Sequence, residues 1–135
     1  MFTKNRKGRV CGVKLYDEVP FFHSHKLISL SSSRLTKAQL ESARRVISRQ
    51  IKRIGKYRIH VSPTVSVSAK PSEVRMGKGK GAIDHYIARI KAGQVIFSLE
   101  GVSSAIAGSV LLKASRKLPM RTDVVQAATL LQYSL

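Results

Sequence analysis

A capped, two-sided helix constrains this chain more than any other feature of its sequence. Thr36-Lys37-Ala38-Gln39 is a capping-box pattern: the threonine hydroxyl accepts the backbone N–H three residues on, and the glutamine reaches back to the threonine N–H. Leu35 and Leu40 flank it as a hydrophobic staple. From there Leu40, Ala43, Ile47, Ile51 and Ile54 recur at steps of three and four. The spacing predicts a helix over 37–54 with a single apolar stripe, ended by Gly55 in the left-handed conformation. The opposite face holds Arg44, Arg45, Arg49, Lys52 and Arg53, with Lys56 and Arg58 just beyond, against one acid, Glu41. Like charges at i,i+4, such as Arg45 and Arg49, destabilise an isolated helix. A face of this kind fits an opposing row of phosphates better than it fits bare solvent.

The remaining elements follow from alternation and breakers. Residues 57–61 alternate and are rich in β-formers, Pro63 interrupts them, and Val65 with Val67 marks another short strand before Pro71. Residues 83–90 and 94–99 flank Lys91-Ala92-Gly93, a connection of hairpin length, so these two strands are expected to pair antiparallel. A second helix is expected over 103–117, with Ile106, Val110 and Ala114 on one stripe, Leu111 and Leu118 beside it, and Pro119 as its stop. The order reads as an α+β fold in which two helices pack on a mostly antiparallel sheet.

Upstream of this core, residues 1–14 carry Lys4, Arg6, Lys7, Arg9 and Lys14 with no acid and no periodicity. They read as a basic arm that orders on its partner. Residues 17–33, with Asp17, Glu18, Pro20, Phe21, Phe22 and the run Ser31-Ser32-Ser33, read as a connecting loop with one or two short strands. The expected organisation is therefore an arm and loop over 1–33, an α+β core over 34–125 and a tail over 126–135.

Between two expected strands lies Arg75-Met76-Gly77-Lys78-Gly79-Lys80-Gly81, where glycine alternates with cations. Its glycines let the backbone approach a partner closely and expose N–H groups, while the lysines neutralise phosphate. The spacing matches neither a P-loop nor a dinucleotide fingerprint. A solvated surface loop has the same composition, but the basic arm and basic helix around it favour contact with a nucleic-acid backbone. Charge points the same way: 25 Lys+Arg against 7 Asp+Glu in 135 residues leaves +18, which strains a folded body this small unless a polyanion neutralises it.

Catalytic and cofactor readings find little support. Cys11 is the only cysteine, so neither an intramolecular disulfide nor a site with several thiolates is available, and His23 and His25 lack the spacing of a zinc site. His60 and His85 sit in expected strands, the carboxylates are scattered, and no serine stands in a nucleophile-elbow setting. The sparse aromatic residues form no stacking platform, so recognition by shape and phosphate is expected. No apolar run is long enough to span a membrane. The sequence implies no cofactor, metal or small-molecule substrate.

A set of residues then carries a resemblance. Arg34-Leu35-Thr36, Ala43-Arg44-Arg45, Gly55-Lys56, Lys70-Pro71, the segment from Val74 through Arg75-Met76-Gly77-Lys78-Gly79-Lys80-Gly81, Gly93, Glu100-Gly101-Val102, Lys117-Leu118-Pro119 and Arg121-Thr122 fall in the order and spacing of the large-subunit ribosomal protein 16 family. The resemblance covers about 34–125. It implies a structural component of the large ribosomal subunit, not an enzyme, that binds large-subunit rRNA beside the aminoacyl-tRNA path.

By that likeness Arg44, Arg45, Arg49, Lys52 and Arg53 would lie on rRNA, and the basic character of the arm and of the segments flanking the helix adds Lys4, Arg6, Lys7, Arg9, Arg34, Lys56 and Arg58 as expected rRNA-binding residues. The 75–81 loop would lie toward A-site tRNA near the peptidyl transferase region. The chain departs from the family pattern in its short arm, in Ser31-Ser32-Ser33, and in Asp84-His85-Tyr86 after the loop. Those departures favour an organellar, mitochondrial ribosome, and the weakly charged tail suits packing on a neighbouring ribosomal protein. The other reading compatible with the electrostatics is a free-standing RNA- or DNA-binding module outside the ribosome.

Overall fold

The computed structural model describes residues 3–6, 8–14 and 25–126. Lys7, the loop residues Asp17, Glu18, Pro20, Phe21, Phe22 and His23, and the tail from 127 onward lie outside them. In chain order the elements are β1 (His25–Ser29), β2 (Ser33–Thr36), α1 (Lys37–Ile51), β3 (Lys56–Ile59), β4 (Val65–Ala69), β5 (Ala82–Ile90), β6 (Val95–Glu100), α2 (Ser104–Ser115) and β7 (Thr122–Gln126). The fold is α+β with two helices, and its strands divide between two antiparallel sheets. One has the order β3-β6-β1-β7 and the other β2-β5-β4.

The capping box closes in both directions: Gln39 N donates to Thr36 Oγ1 at 3.3 Å and Thr36 N donates to Gln39 Oε1 at 3.0 Å. Leu40, Ala43, Ile47 and Ile51 are buried. The helix nevertheless stops short of the expected end, and Ile54, assigned by spacing to the stripe, is 73% exposed. Lys52 (φ 44°) and Arg53 (φ 70°), not Gly55, adopt the left-handed conformation that turns the chain out of α1. Gly55 has a different role. A Cβ there would lie 2.2 Å from Val102 Cγ2 and 2.6 Å from the Glu100 carbonyl oxygen, so the bare backbone is what lets the chain pass close to the end of β6 and enter β3.

The expected β5–β6 hairpin does not form. Each strand already has both edges filled: β5 lies between β2 and β4, with Leu35 opposite Ala88 and Val65 opposite Ile87. Strand β6 lies between β3 and β1, with Tyr57 opposite Leu99 and Leu27 opposite Phe97. The Gly93 N–H donates to the Ser29 carbonyl at 2.7 Å, drawing the short connection toward β1. It is a corner between two sheets and not a hairpin turn.

Strand β1 is one of the short strands expected within the connecting segment 17–33, and all of its residues are buried between β6 and β7. In α2 the buried side is Ala107, Val110, Leu111 and Ala114, whereas Ile106, expected to point inward, is 47% exposed. Apolar residues surround this helix, so hydrophobicity alone does not choose the face; packing on α1, β1 and β7 does. Leu27, Leu35, Ile47, Ile90, Phe97, Leu99 and Leu111 belong to one core cluster that joins both sheets and both helices. Among the described residues no helix is long and apolar enough to cross a membrane.

Candidate nucleic-acid interface

Side chains alternate across a strand, and this alternation sorts the cations. Leu35 and Ala88 face the core, so Arg34 and Arg89, paired across β2 and β5, face the other way. The arm lies along that outer face. Ser66 Oγ of β4 donates to the Thr3 carbonyl at 2.9 Å and accepts from Asn5 N at 3.3 Å. Arg89 Nη2 donates to the Arg6 carbonyl at 2.9 Å, and Arg34 Nη2 to the Gly8 carbonyl at 2.6 Å. Farther along, Lys14 N donates to the Ala92 carbonyl at 2.8 Å.

The arm, read from the sequence as one that orders on its partner, crosses β4, β5 and β2 in turn, anchored largely through its own carbonyls, while Lys4, Arg6 and Arg9 remain exposed. Carbonyl groups occur in every sequence, which is why charge and periodicity gave no sign of this docking. Arg89 was not among the expected residues either. Its signal was available, a cation between the apolar residues Ala88 and Ile90 of a strand.

The 75–81 loop is part of the same surface. Residues from Arg75 to Lys80 are exposed, Met76 almost completely so, and Gly81 is half-buried. Gly77 (φ 93°), Lys78 (φ 56°) and Gly79 (φ 80°) take positive φ in succession, a path that L side chains resist and glycine does not. Lys4 Nζ donates to the Lys80 carbonyl at 3.1 Å, Lys80 Nζ donates to the Asn5 carbonyl, and Lys70 Nζ donates to the Gly77 carbonyl. Arm and loop are thereby clasped together.

A second cationic group lies on α1 and the edge strand β3. Arg45, Arg49, Lys52, Arg53, Lys56 and Arg58 are exposed. Arg44 behaves differently. It makes two 2.7 Å hydrogen bonds to Glu41 and donates from Nη1 to the Tyr57 hydroxyl at 3.0 Å. Arg45 adds a 3.2 Å contact to the same carboxylate. Hydrogen bonding from Arg44, followed by that from Arg45, holds the Glu41 carboxyl down at about 2, and Glu41 in turn raises the already high affinity of Arg44 for its proton. Arg44 thus ties α1 to β3, and the outward charge falls to its neighbours.

The histidines have local roles. His60 shares a 2.8 Å hydrogen bond with Ser98 Oγ, and burial pushes its pKa down; His85 pairs with Asp84 at 2.8 Å on the surface. Cys11 is exposed. Among the described residues no three His, Cys, Asp or Glu side chains group as metal ligands.

Two outward cationic surfaces, one of them carrying a clasped Gly/Lys loop, suit a large polyanion. The family description Ribosomal protein L16p/L10e matches residues 1–125. The chain belongs to that family. It is similar to the large ribosomal subunit protein uL16 of Caulobacter vibrioides strain NA1000 / CB15N, 44% identical over 124 residues that cover 92% of this chain and 87% of the relative. The protein of the same description from Orientia tsutsugamushi strain Boryong is 45% identical over 125 residues, covering 93% and 92%. That from Xanthobacter autotrophicus strain ATCC BAA-1158 / Py2 is 45% identical over 125 residues, covering 93% and 91%. Family membership makes the chain a ribosomal protein and not an enzyme.

Proposed function

We propose that this chain, a structural constituent of the large ribosomal subunit, holds large-subunit rRNA with its cationic surfaces and presents the 75–81 loop to A-site tRNA. On this reading Lys4, Arg6, Lys7, Arg9 and Arg34 bind rRNA from the arm side. Arg45, Arg49, Lys52, Arg53, Lys56 and Arg58 bind it from the helix side, with Arg44 positioning them. Arg75, Lys78 and Lys80 supply charge near tRNA, and no bond is made or broken.

One observation carries the reading. Among the described residues the non-glycine positions with positive φ are Lys52, Arg53 and Lys78, and every one is an exposed cation. A left-handed L-residue costs about 1–2 kcal/mol relative to an unstrained one, and glycine would relieve most of that cost. Cations held at three such positions mark places where charge matters more than backbone ease.

Two finer readings go with it. The uncharged residues that follow Gln126 suit a neighbouring ribosomal protein better than RNA, and the alphaproteobacterial character of the relatives, taken with the chain's departures from the family pattern, favours a mitochondrial ribosome. Sedimentation of the tagged chain from cell and organelle lysates tests assembly and compartment together. Co-migration with large subunits that survives a high-salt wash and collapses with RNase is expected, in the mitochondrial fraction. Release by salt would overturn integral assembly, and co-migration in another fraction would overturn the compartment. For the loop, particles carrying Lys78→Ala are expected to assemble and to accommodate A-site tRNA more slowly; unchanged accommodation would remove the loop from that role.

A further inference from the structure

Every second residue from 77 to 81 is glycine, and the side chains that alternate with these glycines belong to Met76, Lys78 and Lys80. Two of the three are cations. The third is a methionine that is 99% exposed, so the loop offers an apolar group where its own alternation would place another lysine. Isolated apolar residues on a surface are ordinary, and exposure alone carries nothing. What sets Met76 apart is how its neighbours are held. On one side the Val74 N–H donates to the Pro71 carbonyl at 3.2 Å, which closes a turn. On the other, Lys70 Nζ donates to the Gly77 carbonyl. Met76 therefore projects into solvent from between two residues that are both tied back to Lys70 and Pro71.

The space beside it is open as well. A Cβ at Gly81 would lie 2.3 Å from the Ala69 carbonyl oxygen, whereas one at Gly77 or Gly79 would meet nothing within 4 Å. Gly81 is thus required by its contact with β4, while Gly77 and Gly79 leave bare backbone that a flat group can approach closely. Arg75 and Lys78 stand on either side of Met76 in the chain, and both are exposed. Across 70–81 the cations Lys70, Arg75, Lys78 and Lys80 face one acid, Glu73. Exposed methionine also suits protein partners, but the excess of cations around it favours a polyanion. An apolar group between two cations matches the order of a nucleic-acid strand, in which each base hangs between phosphates.

We propose that Met76 packs against the face of one unstacked base of the bound RNA, with Arg75 and Lys78 on the flanking phosphates. Methionine is among the apolar side chains that nucleic-acid-binding proteins set against unstacked bases, and its flexible thioether adapts to any of the four. Splayed-out bases are also the usual targets when proteins read RNA by more than its backbone. The proposal rests on the reading of the 75–81 loop as an RNA-facing element and deepens it. The lysines attract any RNA; Met76 adds a preference for RNA that offers a free base.

Binding of the full chain is measured to two RNA hairpins that share a stem, one fully paired and one with a single splayed-out uridine. Oxidation of Met76 by hydrogen peroxide, read by mass spectrometry, reports contact directly, with the buried Met120 as reference. The wild-type chain is expected to prefer the bulged hairpin by about fivefold, the scale of burying part of an apolar side chain, and only that hairpin is expected to slow Met76 oxidation. Met76→Gln keeps the length of the side chain and loses its apolar character. It is expected to abolish the preference without changing the salt slope, because no cation is lost, whereas Met76→Leu is expected to retain it. Met76→Lys separates base from phosphate: tighter binding to both hairpins with no preference between them is expected. Equal wild-type affinity for the two hairpins, a preference that survives Met76→Gln, or oxidation unslowed by the bulged hairpin would overturn the contact. Lys78→Ala shows which premise has failed. Weaker binding of that variant to both hairpins, the expected result, keeps the loop on RNA whatever Met76 does, and unchanged binding to both would overturn the RNA-facing reading of the loop and this contact with it.

Discussion

Lys4 and Lys80 hold each other's backbone in place: the Lys4 ammonium donates to the Lys80 carbonyl at 3.1 Å, and the Lys80 ammonium donates to the carbonyl of Asn5, the next residue after Lys4. Two cations of the same sign sit side by side because each is bound to a carbonyl dipole, so the arm and the 75–81 loop are ordered as one unit. Lys80→Ala breaks one half of the clasp. An exposed hydrogen bond of this kind contributes about 1 kcal/mol, so amide exchange in both the arm and the loop is expected to quicken by about fivefold, with the core strands unchanged. Faster exchange in the loop alone would mean that the arm is held by Ser66, Arg34 and Arg89 without help from the loop.

Glu41 makes the α1–β3 junction sensitive to acid. Its carboxyl is held at about 2 in the folded chain against an ordinary value of 4.5, so the unfolded chain binds the proton more readily. The resulting stabilisation is complete above about 4.5 and is lost as pH falls through about 2. Glu41→Gln is expected to lower the denaturant midpoint at neutral pH, and the gap from the wild type is expected to close progressively below about pH 4.5. A gap that stayed constant with pH would show that the carboxylate contributes shape and not charge.

Gly55 is constrained by space. A Cβ at this position meets both a Val102 methyl and the Glu100 carbonyl, and Glu100 is fixed by its pairing with Lys56. Gly55→Ala is expected to cost about 1–3 kcal/mol, as overpacking does, read from the denaturant midpoint. Adding Val102→Ala is expected to restore part of the loss, because the methyl clash disappears and the carbonyl clash remains. Complete restoration would assign the constraint to Val102 alone.

What the sequence disclosed and what it concealed divide along the range of the interactions. Helix α1 was legible because its capping box and apolar stripe are decided within a few residues of one another. Its end was not, since Lys52 and Arg53 adopt a conformation in which glycine is expected. The β5–β6 pairing was misread because a three-residue link suits a hairpin and a corner equally, and the choice depends on β1, β2, β3 and β4 having taken the edges. A short strand was expected within 17–33, but its place in the middle of a sheet was not legible, because His25, Lys26 and Ser29 are polar and buried all the same. In the interface, Arg49, Lys52 and Arg53 were legible as a face with little counter-charge. The pairing of Arg44 with Glu41 is local, but its tie to β3 depends on Tyr57 in another element, which no local pattern contains.

Arg53 sets backbone ease against function. With φ 70° it occupies a region that glycine enters freely, so Arg53→Gly is expected to raise stability by about 1 kcal/mol. If Arg53 neutralises a phosphate, the same change removes a released counterion, and the log–log dependence of rRNA affinity on salt is expected to flatten by about 0.9. Thermal melting and a salt titration of rRNA binding on the same preparation check both sides. Higher stability with an unchanged salt slope would take Arg53 out of the interface. Lower stability would mean that Arg53 makes packing contacts worth more than the strain it carries, and that the left-handed cations are held there for the fold and not for RNA.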